Sequence, residues 1–245
     1  MSVGHRAVNT PQALPAGTTP VLSTALVIFL AFCCGAAVAN LYYAQPIVEM
    51  IAPAIGLSSA NASLIVALTQ FGYALGLLFL VPLADLLENR RLLVGFTLAV
   101  ATCLAAAALS QTPSLFLLCS LLIGLTSVAV QILVPLAAHM APEASRGRVV
   151  GNIMSGLLLG ILLSRPLAST LAEAFGWRSV FYSAAALMVV MALVMEWLLP
   201  LRVPSHKASY PALIASVFGL ARRHALLRER SLYQGLLFAS FSSFW

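Results

Sequence analysis

Charge is what this sequence lacks. Only 8% of its 245 residues are ionised side chains, 13 Lys or Arg and 7 Asp or Glu, where an ordinary soluble domain carries about 25%. So few charges cannot clothe a water-facing globule of this size, which excludes a soluble enzyme. Disorder is excluded by the opposite measure: 61% of the residues are hydrophobic, more than a solvated chain can leave uncovered. Cysteine is scarce too. Cys33, Cys34, Cys103 and Cys119 all fall inside apolar runs, without metal-ligand spacing, and read as small packing residues. Nucleotide loops and nucleophile motifs are missing as well. The reading is therefore not an enzyme, with no catalytic residue, no metal and no cofactor.

What the chain does have is apolar runs of membrane length. A span needs ~20 mainly apolar residues to cross ~30 Å of hydrocarbon. Six runs meet this, at 21–43, 60–83, 92–110, 114–138, 152–175 and 179–199, and a seventh starts at 232 and reaches Trp245 after 14 residues. Residues 37–39 resemble a signal-peptidase site. The run containing them, however, is longer than the ~7–15 residues of a secretory apolar region, so it reads as a span. The loops alternate in charge. Arg6, Arg90, Arg91, Arg146, Arg148, Arg202, Lys207, Arg222, Arg223, Arg228 and Arg230 fall on one side and Arg178 alone on the other. Basic loops stay cytoplasmic, which puts the N-terminus and the loop at 201–231 inside. Within that loop, residues 211–230 combine an apolar stripe with a basic end and read as a helix lying on the inner leaflet. Nucleic acid is not an expected partner, because this basic patch stands beside six spans.

Three loops carry more than charge. The stretch at 81–91 reads V-P-L-A-D-L-L-E-N-R-R, residues 142–148 read P-E-A-S-R-G-R, and 176–181 read G-W-R-S-V-F. They resemble the loop 2–3, loop 4–5 and span 5–6 segments of the major facilitator superfamily. Residues 40–46, N-L-Y-Y-A-Q-P, end the first span as in a bacterial subgroup of small-molecule exporters. Two departures stand out: Ser120 where the family often has Arg, and Ser164, Arg165 and Pro166 where exporters often carry Gly-Pro. The resemblance implies an all-α, polytopic transmembrane helix bundle equivalent to an N-terminal half, built as two three-helix repeats with a truncated seventh helix. On this reading 1–20 is a cytoplasmic tail, 21–200 the six-helix domain, 201–231 a basic cytoplasmic loop and 232–245 a partial seventh helix. It also implies alternating access, with the solute site between two halves.

Several residues are candidates for that work. Arg165 lies 13 residues into the fifth run, ~20 Å along a helix, and a charge at that depth is functional by default. Snorkelling is the bland alternative. Its counter-charge comes either from the missing half or from an anionic solute. Asn40 and Tyr43, Gln70 and Tyr73, and Gln131 are expected to line the path, although the tyrosines also suit an interfacial belt. Asp85, Glu88, Arg90, Arg91, Glu143, Arg146 and Arg148 form a candidate cytoplasmic gate of ion pairs, or merely a topology signal. Gly156, Gly160 and Ser164 recur every four residues and are expected to pack closely against another helix.

The function that follows is secondary transport of a small organic solute across a bacterial inner membrane. Proton-coupled efflux is implied by the resemblance alone. The partners would be the lipid bilayer, the solute, protons, and either the missing C-terminal half or a second half-transporter. A non-transporting remnant of such a transporter is the other reading.

Overall fold

The computed structural model describes residues 23–201 and 209–244, and every regular element among them is helical. Ten α-helices run in order: α1 Thr24–Ala39, α2 Val48–Ala54, α3 Leu64–Phe79, α4 Asn89–Leu109, α5 Pro113–Thr126, α6 Ala129–Met140, α7 Arg146–Phe175, α8 Trp177–Leu198, α9 Tyr210–Arg223 and α10 Ala225–Phe244. Their starts are written locally. Ser23 Oγ accepts the Leu26 amide at 3.2 Å, satisfying one orphan donor of α1. Glu88 caps α4 with both carboxylate oxygens, accepting the Arg90 and Arg91 amides at 2.8 and 2.9 Å. Pro113 opens α5, where its missing N–H costs nothing. A single residue separates α7 from α8. Gly176 sits at φ 82°, a conformation that strains any side chain with a Cβ.

Among the described residues, five segments are long and apolar enough to cross a membrane: Ser59–Asp85, Asn89–Leu109, Pro113–Met140, Glu143–Phe175 and Trp177–Leu198. The first expected span differs. Its described helix, α1, has 16 residues. It ends where the ladder tightens, with Leu41 and Tyr42 donating to Val38 and Ala39 at 3.1 and 2.9 Å. Pro46, just beyond, has no N–H to continue an α-ladder and its ring crowds the carbonyl four residues back. The fourth span is divided at Ser127 and Val128 into α5 and α6. Ser127 closes α5, and its hydroxyl donates to the Ile123 carbonyl at 2.6 Å, a back-bond that competes with the helix ladder. The fifth helix begins at Arg146 rather than 152, so Arg165 stands ~28 Å from its start and ~15 Å from its end. The basic helix expected over 211–230 divides at His224, whose φ and ψ are −111° and 103°. Arg228 and Arg230 therefore belong to α10, which starts at Ala225 rather than 232. Arg6, Arg202 and Lys207 lie outside the described residues.

The principal helix packings are α1 with α7, α3 with α5, and α4 with α8. Exchanging the first three spans for the last three maps the first pair onto the second and the third onto itself, as a two-repeat bundle requires. The crossings agree in detail. A Cβ built on Gly35 of α1 would stand 2.5 Å from the Gly156 carbonyl oxygen, and Gly156 and Gly160 in turn abut the backbone of Ala31 and Gly35. Gly124 of α5 abuts the Thr69 carbonyl, with Gly72 and Gly76 of α3 against Leu121 and Leu125. At each of these crossings, glycines on both helices lie against the backbone of the other. Near the α7–α8 turn, Phe116, Trp177 and Phe181 stack edge to face at 5.5–5.9 Å, a favoured geometry.

Candidate solute path and cytoplasmic gate

Burial separates the helices. The apolar windows of α4, α5–α6 and α8 are 44%, 56% and 44% buried inside the bundle, whereas those of α3 and α7 are 22% and 17% buried. Of these, α3 and α7 leave by far the largest share of their residues for something else to cover.

On one side of α3 and α6, Gln131 Nε2 donates to the Tyr73 hydroxyl at 3.0 Å, joining the two elements. Gln131 is exposed, Tyr73 half-buried, and Gln70 half-buried about one turn before Tyr73. Below this bridge lies a cavity of about 600 Å³ lined by Asp85, Asn89, Gln131, His139, Leu213 and Val217, among others. The α9 helix forms one wall of it, and the Tyr210 hydroxyl donates to the Phe79 carbonyl at 2.8 Å, fastening α9 to the end of α3. Asn89 and His139 were not singled out by the sequence reasoning. A lone amide and a lone histidine carry no spacing signal.

The remaining path candidates lie elsewhere. Asn40 is buried, with Nδ2 donating to Met188 Sδ at 3.4 Å and Oδ1 unpartnered. It points into the α1–α8 contact. Tyr43 borders an apolar groove of about 400 Å³ between α1 and α7, with Gly160, Leu163 and Ser164. Ser164 is buried and donates to the Ile161 carbonyl at 2.7 Å, and Arg165 follows it, half-buried. The structure therefore brings Gln131 and Tyr73 together. It places Asn40, Tyr43 and Arg165 along α1 and α7 instead.

The gate residues divide in the same way. Arg90 is engaged within the bundle, its guanidinium 3.2 Å from Glu196 and donating to the Leu199 carbonyl at 3.4 Å. Glu88 is the α4 cap, with Arg91 Nε 3.9 Å away. Arg146 Nε donates to the Ala138 carbonyl at 2.9 Å, closing the short turn between α6 and α7. Asp85, Glu143 and Arg148 are exposed, and Asp85 also borders the cavity.

The sequence itself has recognised kin. The model of the Major Facilitator Superfamily matches residues 21–245. The chain belongs to this superfamily. It is 48% identical over 224 residues to the "Uncharacterized transporter YgaY" of Escherichia coli O157:H7, covering 91% of this chain and 57% of that protein. It is 32% identical over 241 residues to the "Probable transporter SCO4007" of Streptomyces coelicolor, covering 97% and 56%. The chain thus spans little more than half the length of these relatives. Two transporters of known structure share the fold. The human organic anion transporter MFSD10 (TETRAN) aligns at TM-score 0.57 and 20% identity, over 76% of this chain and 51% of that one. A peptide transporter POT in complex with alafosfalin aligns at 0.60 and 16%, over 86% and 46%. At these identities the likeness speaks to the fold alone. A multi-pass membrane protein of the superfamily follows from the family match and the five apolar spans.

Proposed function

We propose that this chain is one half of a secondary transporter that carries a small organic solute across a bacterial inner membrane by alternating access. The Gln131–Tyr73 bridge carries the reading. An exposed amide and a phenol amid apolar helices are costly against lipid, so their face belongs to a watered path, and the cavity below extends that path toward the cytoplasm. The sparsely buried α3 and α7 supply the surface on which a second six-helix half sits, which makes that half the partner. Residues 21–200 form the transporting bundle, 1–20 the tail, 201–231 the cytoplasmic connection, which takes in α9 and the first turns of α10, and 232 onward the part of α10 that enters the membrane. Loop charge puts the N-terminus in the cytoplasm. Arg165, charged and deep in α7, suits an anionic or carboxylate-bearing solute. Asp85, Glu143, Arg146 and Arg148 suit the moving ion pairs of a cytoplasmic gate. Proton-driven efflux follows from the family resemblance.

The test is water access. Gln131→Cys and Leu98→Cys variants are exposed to a membrane-impermeant maleimide in inside-out vesicles. Leu98 is an exposed apolar residue of α4 and serves as the lipid-facing reference. Fast labelling at 131 alone supports the path. Equal, slow labelling at both sites would place Gln131 in lipid and end the proposal.

A further inference from the structure

The α4–α8 pair is tied at both ends by the same device. Arg90 is the second residue of α4 and Arg178 the second residue of α8. Arg90 Nη1 donates to the carbonyl of Leu199, the C-cap of α8. Arg178 Nη2 donates to the carbonyl of Ser110, the C-cap of α4, at 3.2 Å, and its Nε to the Ala108 carbonyl at 3.0 Å. Each helix thus starts with a guanidinium that closes the end of its neighbour. The last carbonyls of a helix have no partner of their own and carry the negative end of its dipole, so a forked cation is well matched to them. The two arginines occupy equivalent places in the two repeats.

We propose that Arg90 and Arg178 are reciprocal end-caps that fix α4 and α8 as one strut, making them positioning residues against which the other helices move. Packing between the ends agrees. The α1–α7 and α3–α5 crossings are glycine to backbone, whereas α8 contains no glycine, and Gly95 of α4 has no neighbour within 4 Å of a built Cβ. Bulky buried side chains such as Leu93, Leu104, Met188 and Met195 fill the strut instead, and interdigitated chains of that kind resist sliding. The two caps differ in one respect. Arg90 also meets the Glu196 carboxylate, while Arg178 has carbonyls and the face of Trp177, 4.3 Å from the ring centroid. The reciprocal caps rest on packing and stand whether or not the transport reading does, while the motion of other helices against the strut rests on that reading.

Hydrogen–deuterium exchange of the chain in lipid nanodiscs tests it. Arg178→Ala should speed exchange about tenfold over residues 107–112, roughly the loss of one charge-assisted hydrogen bond, and leave residues 196–200 as they were. Arg90→Ala should do the reverse. Lysine should rescue unequally: Arg90→Lys keeps a carboxylate to pair with, whereas Arg178→Lys loses the fork and gains no such partner. Glu196→Gln should leave the α8 end closed, because the carbonyl cap remains. Quickening at both ends from either single substitution would mean general loosening. No change at either end, or Lys rescuing equally at both positions, would also overturn the reciprocal caps.

Discussion

Gly124→Ala adds one methyl where the structure has no room for it. Its Cβ would abut the Thr69 carbonyl oxygen and stand 2.8 Å from the Thr69 carbonyl carbon and 2.9 Å from the Tyr73 amide nitrogen. All three are backbone atoms, so no side chain can swing aside. Restoring ordinary contact distances means parting α3 from α5 by more than ~1 Å, and a gap of even ~1 Å forfeits about a quarter to a half of each dispersion well along the crossing. Lipid offers no hydrophobic compensation for separated helices. Overpacking of this kind costs about 1–3 kcal/mol. The control reverses the sign. Gly95 and Gly151 lie inside helices with nothing within 4 Å of a built Cβ, so Ala there removes a helix-propensity penalty and gains about 0.5–1 kcal/mol. Unfolding by sodium dodecyl sulfate in mixed micelles, followed by circular dichroism, measures all three. Finding Gly124→Ala as stable as Gly95→Ala would refute the close crossing.

Other consequences can be checked independently. Asn40→Leu removes a buried amide whose oxygen has no partner and should leave stability equal or higher by about 1 kcal/mol in the same titration, while solute transport by a reconstituted full-length relative bearing it would fall if Asn40 touches solute. Phe116→Ala empties the centre of the aromatic cluster and should cost about 3–5 kcal/mol, read as an early unfolding midpoint and altered Trp177 fluorescence. Tyr73→Phe should cost only about 0.5–1.5 kcal/mol in that titration, and adding it to Gln131→Ala should cost nothing further, because the bridge is already gone. Cysteines at 85 and 143 should react from the cytoplasmic face and cysteines at 111 and 175 from the opposite face. Labelling of 85 and 111 from one side would undo the topology.

The parts of this fold legible in the sequence were those that lipid itself selects. Charge is expelled to loops, so the runs between Arg90, Arg146 and Arg178 outline helices without any knowledge of their partners. The break at Ala39 and the division at Ser127 were not legible. In a bilayer every face of a helix is apolar, and no periodic signal marks where the ladder fails. Gly156 and Gly160 advertised a close approach by their spacing, yet Gly35, which meets that pair, and Gly124, which meets the backbone of Thr69 and Tyr73, are single glycines whose role is decided across the bundle. The site shows the same limit. Gln131 and Tyr73 are 58 residues apart and only the fold joins them, while Asn40, equally polar on paper, turns into a helix contact.

The lone glycine between α7 and α8 has a mechanical corollary. With one residue as the joint, the 30-residue α7 is a lever ~45 Å long pivoting on a braced post. A tilt of ~10° about Gly176 would swing the opposite tip, at Arg146, through ~8 Å. Small rotations at one end of α7 would thereby become large displacements at the other.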